Sequence, residues 1–425
     1  MARYNGKTKV IDLSVVLEIL LSQSAILTTT GKSERALIKL ASGLTLSRAL
    51  KDRLFEARCL QGMAVVQGSL NRYRDTIKYA EKSIEAFKSI GVDRGVAENL
   101  TLCGKMYYWL GEIDKAFKLC HEAMRIHELS GDIPSIAENL MLLGMLEDAS
   151  GNTRGQLECY QKAFALLASG GDKYAIGKAL NNLGHAYSVL NDVKAANEHY
   201  QKALNVQQET GDVVEQAEIV YNMGYLLFKQ GSYREAVDRF SCALAICGKM
   251  GNATDSVWAL TGIGRARLEM GEMDKAADDL TTAAAMAVKA GDENILCRIE
   301  MTKAELELAR GLPEMARPHI EAVGNAAERF KARGTMAKAL ALQAQCEEEY
   351  DAAASEGHYK EAVAIFREYN MTYDLAETCL KLARFSATLN KKEDIDQSLK
   401  VAEEIFAMMG NQRYLDEISR IRSLT

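Results

Sequence analysis

The chain has 425 residues and a net charge of −6, with no run of five or more Lys or Arg, so it lacks the positive field that draws a protein to nucleic acid. It contains only three prolines, Pro134, Pro313 and Pro318, and abundant Ala, Leu, Glu, Lys and Met, a composition that excludes a sheet protein and predicts an all-α one. Nine scattered cysteines without a Cys-x-x-Cys pair are the usage of reduced, mostly buried thiols, which predicts a cytoplasmic protein.

The first predicted helix lies in the apolar stretch from Val10 to Leu27, where Asp12, Glu18 and the lack of a small-residue cleavage pattern argue against a membrane span or a secretory signal. Its apolar residues Val10, Ile11, Leu13, Val15, Val16, Leu17, Ile19, Leu20 and Leu21 cover most of the circumference. A terminal helix of a repeat array should keep one polar face. A second protomer, a preceding domain or a swapped neighbour would cover it, and the expectation is a homo-oligomer formed through this N-terminal helix.

Further along, the turn signals become periodic. Gly91, Gly131, Gly171, Gly211, Gly251 and Gly291 stand 40 residues apart, with Asp132, Asp172, Asp212, Asn252 and Asp292 after the last five; half a period later come Gly111, Gly151, Asn191, Gly231, Gly271 and Gly311. Glycine can take the left-handed conformation that ends a helix, and the following Asp or Asn can cap the next one. Turns every 20 residues leave helices of about 17 residues, roughly 25 Å long. Within them, apolar residues recur at helical spacing, as in Ala217, Val220, Met223, Gly224 and Leu227, then Ala236, Val237, Phe240, Ala243 and Leu244. Neither helix can bury its face alone, so pairs must stack.

Gly31, Lys51 and Asn71 extend the phase backward through degenerate repeats at 10–90, and the strict lattice covers 91–311. Irregular repeats are expected over 312–410, with turns at Gly334, Gly357, Asn370, Asn390 and Gly410, and a capping helix over 411–425 with Leu415, Ile418 and Ile421 on one side.

The residues Leu183, Gly184, Tyr187, Ala196, Tyr200 and Ala203 carry a pattern that recurs at Gly224, Ala236, Phe240 and Ala243, at Gly104, Tyr107, Ala116 and Ala123, and at Leu143, Gly144, Tyr160 and Ala163. This pattern resembles the tetratricopeptide repeats. The 40-residue unit and the Gly-Asp turn are similar to the long-repeat subgroup that includes kinesin light chains and cell-polarity adaptors. Toward the C terminus, Tyr373-Asp374-Leu375-Ala376 and Phe406-Ala407-Met408-Met409-Gly410 resemble the helical sensor arrays of bacterial signalling ATPases, cyclases and maltose-regulator-type activators. The resemblance implies one right-handed α-α superhelical solenoid over 1–425, with about ten helix pairs and the capping helix.

In that family the first helix of each pair lines a concave groove, through positions two, five, nine and twelve. Spacings of 3, 4 and 3 put these four on one helical face. The candidate contact residues are Tyr108, Met141, Met145, Asn181, Asn182, His185, Tyr221, Asn222, Tyr225, Phe228, Trp258, Arg265 and Arg298. Aromatics, Met and Arg are what binding surfaces concentrate; the same residues could instead pack against the next repeat. Asn182 and Asn222 precede the Leu-Gly or Met-Gly pair, where relatives pair an Asn amide with a bound peptide's backbone. An inter-helix bond is the other use such an amide can have.

Chemistry has no support in the pattern. The six histidines form no metal spacing, and neither a phosphate loop nor a nucleophile elbow occurs, so neither metal, cofactor nor enzymatic activity is expected. The expected function is a scaffold that holds a peptide or protein partner in its groove, without nucleic acid or membrane insertion. The alternative is a sensor or regulatory module that binds a small molecule or a signalling peptide.

Overall fold

A computed structural model describes residues 13–291 and 293–424. Among them there are twenty-one α-helices and no strand. In chain order, two to a repeat, they are α1 (Leu13–Thr29) and α2 (Ser33–Ala49), α3 (Arg53–Ser69) and α4 (Tyr73–Lys88), α5 (Asp93–Trp109) and α6 (Ile113–Ser130), α7 (Ile133–Ala149) and α8 (Thr153–Gly170), and α9 (Lys173–Val189) and α10 (Val193–Thr210). There follow α11 (Val213–Lys229) and α12 (Tyr233–Met250), α13 (Ala253–Glu269) and α14 (Met273–Ala290), α15 (Glu293–Ala309) and α16 (Pro313–Arg329), α17 (Arg333–Glu347) and α18 (Ala352–Glu368), α19 (Thr372–Thr388) and α20 (Lys392–Met409), and the unpaired α21 (Gln412–Leu424).

The turns work as the glycine lattice requires. At the end of α6, Gly131 has φ of 66°, its N–H donates to the Glu128 carbonyl at 3.2 Å, and the Asp132 N–H donates to the His127 carbonyl at 3.3 Å. Two carbonyls that the helix leaves open are thereby satisfied. The next helices start on side-chain caps: Asp172 accepts from the Ala175 N–H at 3.3 Å, Asp212 from the Glu215 N–H at 3.2 Å and Asn252 from the Asp255 N–H at 3.1 Å. Asp292, the last expected cap, lies outside the described residues, as do Val10 and Ile11 of the apolar N-terminal stretch.

Within a repeat, a glycine of the first helix receives a large side chain of the second. A Cβ on Gly184 would stand 2.6 Å from the Tyr200 ring, and one on Gly224 would stand 2.9 Å from the Phe240 ring. Tyr200 and Phe240 are buried as a result, each with about 1.5–3 kcal/mol of burial to contribute. In the first of these repeats, α9 and α10 therefore approach more closely than Ala would permit.

After Gly311 two expected turns lie elsewhere. Gly334 is inside α17 and Gly357 inside α18; the left-handed residue is Lys331, 20 residues after Gly311, and then Asn370, Asn390 and Gly410. Gly334 is small for another reason, because a Cβ there would meet Met371 Sδ at 2.5 Å. The lattice thus continues to the end of α20 with a single residue missing between Lys331 and Asn370.

The helices form two compact units, Met1–Leu142 and Leu143–Thr425. In the first, Ala57, Phe87, Val96, Ala97, Leu100 and Ala123 make one core cluster and Ala64, Ile77, Ala80, Cys103 and Met106 another. Of α1, only Leu17 and Ser24 are buried; Leu13, Val15, Ile19 and Ile26 are exposed. In the second unit the largest cluster joins Phe228, Tyr233, Phe240 and Ile263 to Tyr373, Leu380, Phe406, Tyr414, Ile418 and Ile421. The unit therefore closes on itself, with α19 to α21 packed on α11 to α13.

Polar bonds fasten this closure at four successive turns. Asn370 Nδ2 donates to the Gly151 carbonyl, Thr372 Oγ1 donates to Asn191 Oδ1 at 3.3 Å, Asn411 Nδ2 donates to the Lys229 carbonyl at 3.0 Å, and Arg413 donates to the Glu269 carbonyl at 2.8 Å. The C-terminal helix is thus a bridge as well as a lid: Ile418 and Ile421 are buried beneath it, and its N-cap Asn411 is fully buried.

Candidate functional site

Positions two, five, nine and twelve of α9, α11, α13 and α15 form the inner face of the second unit. There the caps and glycine contacts fix the rotation of each helix, and side chains from helices distant in sequence meet. Arg265 of α13 lies 3.7 Å from Glu305 of α15 and 3.6 Å from Glu377 of α19. Lys338 of α17 pairs with Asp374 of α19 at 2.8 Å.

Four polar residues meet on α9 and α11. Asn181 is buried; its Nδ2 donates to Glu215 Oε1 at 3.2 Å and to Glu218 Oε1 at 3.1 Å, while its Oδ1 accepts from Asn222 Nδ2 at 3.0 Å. Burial, then the neighbouring Glu218 charge, pushes the Glu215 carboxyl up to about 7, against the pull of Lys178 at 4.0 Å. Asn222 thus makes an inter-helix bond, with its own carbonyl oxygen still available. Asn182, beside this cluster in sequence, is half-buried.

An aromatic wall follows on α11 and α13. Tyr221 meets Phe240 with ring centroids 5.1 Å apart and Trp258 edge-on at 6.4 Å, and Tyr225 stacks with Phe228 at 6.2 Å. The Arg298 guanidinium sits 4.7 Å above the Trp258 ring, and the Arg265 guanidinium 5.0 Å above Phe228. Tyr221, Tyr225, Phe228, Phe240, Thr261, Arg265 and Arg298 surround a cavity of about 20 Å³, room for one water.

The inner face also carries unusual charges. Lys229 is buried, donates to the Ser188 carbonyl at 2.8 Å, and burial lowers its pKa. Burial likewise pushes His185 down and Asp148 up, and His185 Nδ1 lies 3.3 Å from Gln156 Nε2. Burial opposes the Glu377 charge, but Lys381 and Arg265 outweigh it and hold the carboxyl below its usual range.

None of the thirteen candidate contact residues is exposed. Tyr108 and Met141 belong to the first unit and are half-buried, Tyr108 with its ring edge-on to Trp109 at 4.9 Å. Met145 and His185 are half-buried in the second unit. Phe228 is 1% exposed and part of the core, 6.1 Å from the Tyr373 ring. The other inner-face residues, Tyr221, Tyr225, Trp258, Arg265 and Arg298, retain partial exposure.

Reasoning by position missed Lys229, Lys338, Glu377 and Lys381. Continuing the lattice past Gly311 with its one-residue slip puts Lys338 and Glu377 at position two of α17 and α19, so that signal was present. Lys229 ends α11 and follows no repeat position. Among the described residues no cluster of His, Cys, Asp and Glu is arranged to hold a metal, and no helix is long and apolar enough to cross a membrane.

Two family models described as tetratricopeptide repeat match residues 177–210 and 215–287, the stretch that carries the inner-face polar cluster and the aromatic wall. No curated protein sequence matches the chain significantly. Among solved structures, a Rap protein complexed with competence and sporulation factor is similar at TM-score 0.60 and 12% identity, over 93% of this chain and 99% of that one. The Rap conjugation gene regulator of plasmid pLS20, in complex with the Phr* peptide, is similar at TM-score 0.57 and 16% identity, over 84% and 96%. At these identities the likeness is one of fold. Joined to the 20-residue turn lattice and the glycine-to-aromatic packing, the family matches place tetratricopeptide repeats at residues 177–210 and 215–287, within a fold like that of the Rap proteins.

Proposed function

We propose that the chain is an interaction scaffold that binds a peptide segment along the inner face of its second unit. The observation that carries this reading is the aromatic and guanidinium wall of Tyr221, Tyr225, Trp258, Arg265 and Arg298, partly exposed beside the Asn181–Asn222 amide pair. Aromatic side chains give a peptide large contact area at small entropic cost, and amides match its backbone donors and acceptors. The structures of like fold support it, since one was solved with competence and sporulation factor and the other with the Phr* peptide.

A sensor that changes state on binding a small molecule or signalling peptide is the second reading. It is favoured by the closure bonds of Asn370, Thr372, Asn411 and Arg413, which give the unit two ends that can part. Under either reading the protein acts in the cytoplasm, without catalysis or nucleic acid, and self-associates through exposed Leu13, Val15, Ile19 and Ile26 of α1. Light scattering checks the last point: a monomeric mass at all concentrations refutes it.

The decisive experiment pans a random peptide library on the full chain and on Trp258→Ala and Tyr225→Ala variants, with thermal melts of each. Enrichment on the parent and its loss on variants that still fold is the expected result. Absence of enrichment, or equal enrichment on all three, refutes the groove.

A further inference from the structure

We infer that α1 pairs in parallel with α1 of a second copy about a two-fold axis, each α1 seated over the groove between α1 and α2 of the other; this rests on the self-association through α1 stated above. The exposed residues Val15, Ile19, Ser22 and Ile26 follow one another at spacings of 4, 3 and 4, those of the d and a positions of a coiled coil. Leu17 and Ser24, the two buried residues of α1, lie on the opposite side, so the seam is the face that the fold leaves uncovered. Ile19 and Ile26 stand at a, where β-branched residues favour two strands in a parallel pairing.

The seam is shorter than the roughly three heptads that mark a free-standing coiled coil, so α2 has to contribute. It does so through a groove of about 430 Å³, lined by Gln23, Ile26 and Leu27 of α1 and by Arg35, Ile38 and Lys39 of α2. Ile26 and Ile38 are 63% and 66% exposed. Among the described residues neither Arg35 nor Lys39 lies within ion-pair distance of a carboxylate. The occupant that fits is therefore an apolar ridge bordered by negative charge.

A second α1 meets that description. Its single charged residue is Glu18, which borders the seam on the α3 side, where it bonds Arg58 with half of its side chain exposed. In the heptad Glu18 is at g and Gln23 at e, and in a parallel pair g of one helix borders e of the other. Glu18 of each copy thus comes to the rim that Gln23 of the other shares with Lys39. The two-fold axis makes this contact twice. An antiparallel pairing instead puts both α2 helices on one side, basic rim against basic helix, and gathers both Glu18 side chains on the other.

Sedimentation velocity and thiol cross-linking of the full chain test this, in a Cys242→Ala background that removes an exposed native thiol. The expected result is a monomer–dimer equilibrium that Ile19→Asp and Lys39→Glu both weaken, the first by at least about tenfold, while melting temperatures stay near the parent's. On mild oxidation Val15→Cys should link to its own copy, because a two-fold axis parallel to α1 sets residue 15 beside residue 15. In an antiparallel pair those thiols stand roughly 16 Å apart, and Val15→Cys links only to Ile26→Cys. That second pattern, or a dimer unmoved by Lys39→Glu, overturns the parallel pairing and leaves self-association standing. A monomeric mass at all concentrations, or a dimer unmoved by Ile19→Asp, overturns both and leaves this face to a different partner.

Discussion

The closure of the second unit depends on one amide. Asn411 is fully buried; its Nδ2 donates to the Lys229 carbonyl at 3.0 Å and its Oδ1 accepts from the Tyr414 N–H at 3.2 Å, so it caps α21 and ties it to the end of α11 in one stroke. Asn411→Ala removes both bonds. An unpaired carbonyl in a buried place costs about 1–3 kcal/mol and a lost N-cap about 1 kcal/mol, so the closure should weaken by about 2–4 kcal/mol. Asn411→Ser separates the contributions, because a serine hydroxyl still caps α21 but is too short to reach Lys229. Two compact units make a single unfolding free energy ill-defined, so native-state hydrogen exchange is the proper assay. The amides of α21 should lose protection about thirty- to thousandfold in the Ala variant and less in the Ser variant, while α3 to α6 keep theirs. Equal protection of α21 in parent and Ala variant refutes the assignment of closure to this residue.

Two more outcomes follow from packing and charge. Gly184→Ala drives a methyl into the Tyr200 ring and should destabilise the second unit by about 1–3 kcal/mol, whereas Gly170→Ala, with nothing within 4 Å, should be neutral or stabilising; exchange protection of α9 and α10 checks both, and equal effects would sink the close-approach argument. The Glu215 carboxyl is pushed from 4.5 to about 7 when folded, so the folded state holds this proton more tightly, and its contribution is complete below 4.5 and lost as pH rises through 7. Glu215→Gln should therefore gain stability over the parent across that window, by something on the order of 1–3 kcal/mol, measured as the difference in exchange protection of α9 and α11 between variant and parent at each pH; a difference independent of pH refutes it.

Much of the fold is legible because its punctuation has a local cause. A left-handed residue follows every helix from α1 to α20 except α17, glycine takes that conformation at least cost, and the 20-residue beat shows through wherever glycine is used. Lys51 and Lys331 keep the beat with φ of 56° and 52° although they are not glycines, which shows that packing sets the position and the residue only tolerates it. Glycine has a second use, close approach, and sequence does not separate the two. Gly334 is small because Met371 presses on it, and reading it as a turn displaced the expected lattice.

The inner face is legible once the family resemblance says which positions line the groove: helical phase then selects Asn181, Tyr221, Tyr225, Trp258, Arg265 and Arg298. How buried each becomes is decided elsewhere in the chain. Phe228 enters the core because Tyr373 arrives beside it, and Arg265 is held where it is by Glu377 of α19 as well as by Glu305 of the next repeat. No periodicity encodes those encounters, since they depend on how small rotations between successive repeats add up until the array meets itself. The missing residue between Lys331 and Asn370 bears on this sum. It advances α19 by one position relative to a strict lattice, and with it the turn that carries Asn370 and Thr372 to Gly151 and Asn191. The shortening falls at the end of α17, which has 15 residues where α15 and α19 have 17, so the turn before α18 takes it up and α18 and α19 keep their full length.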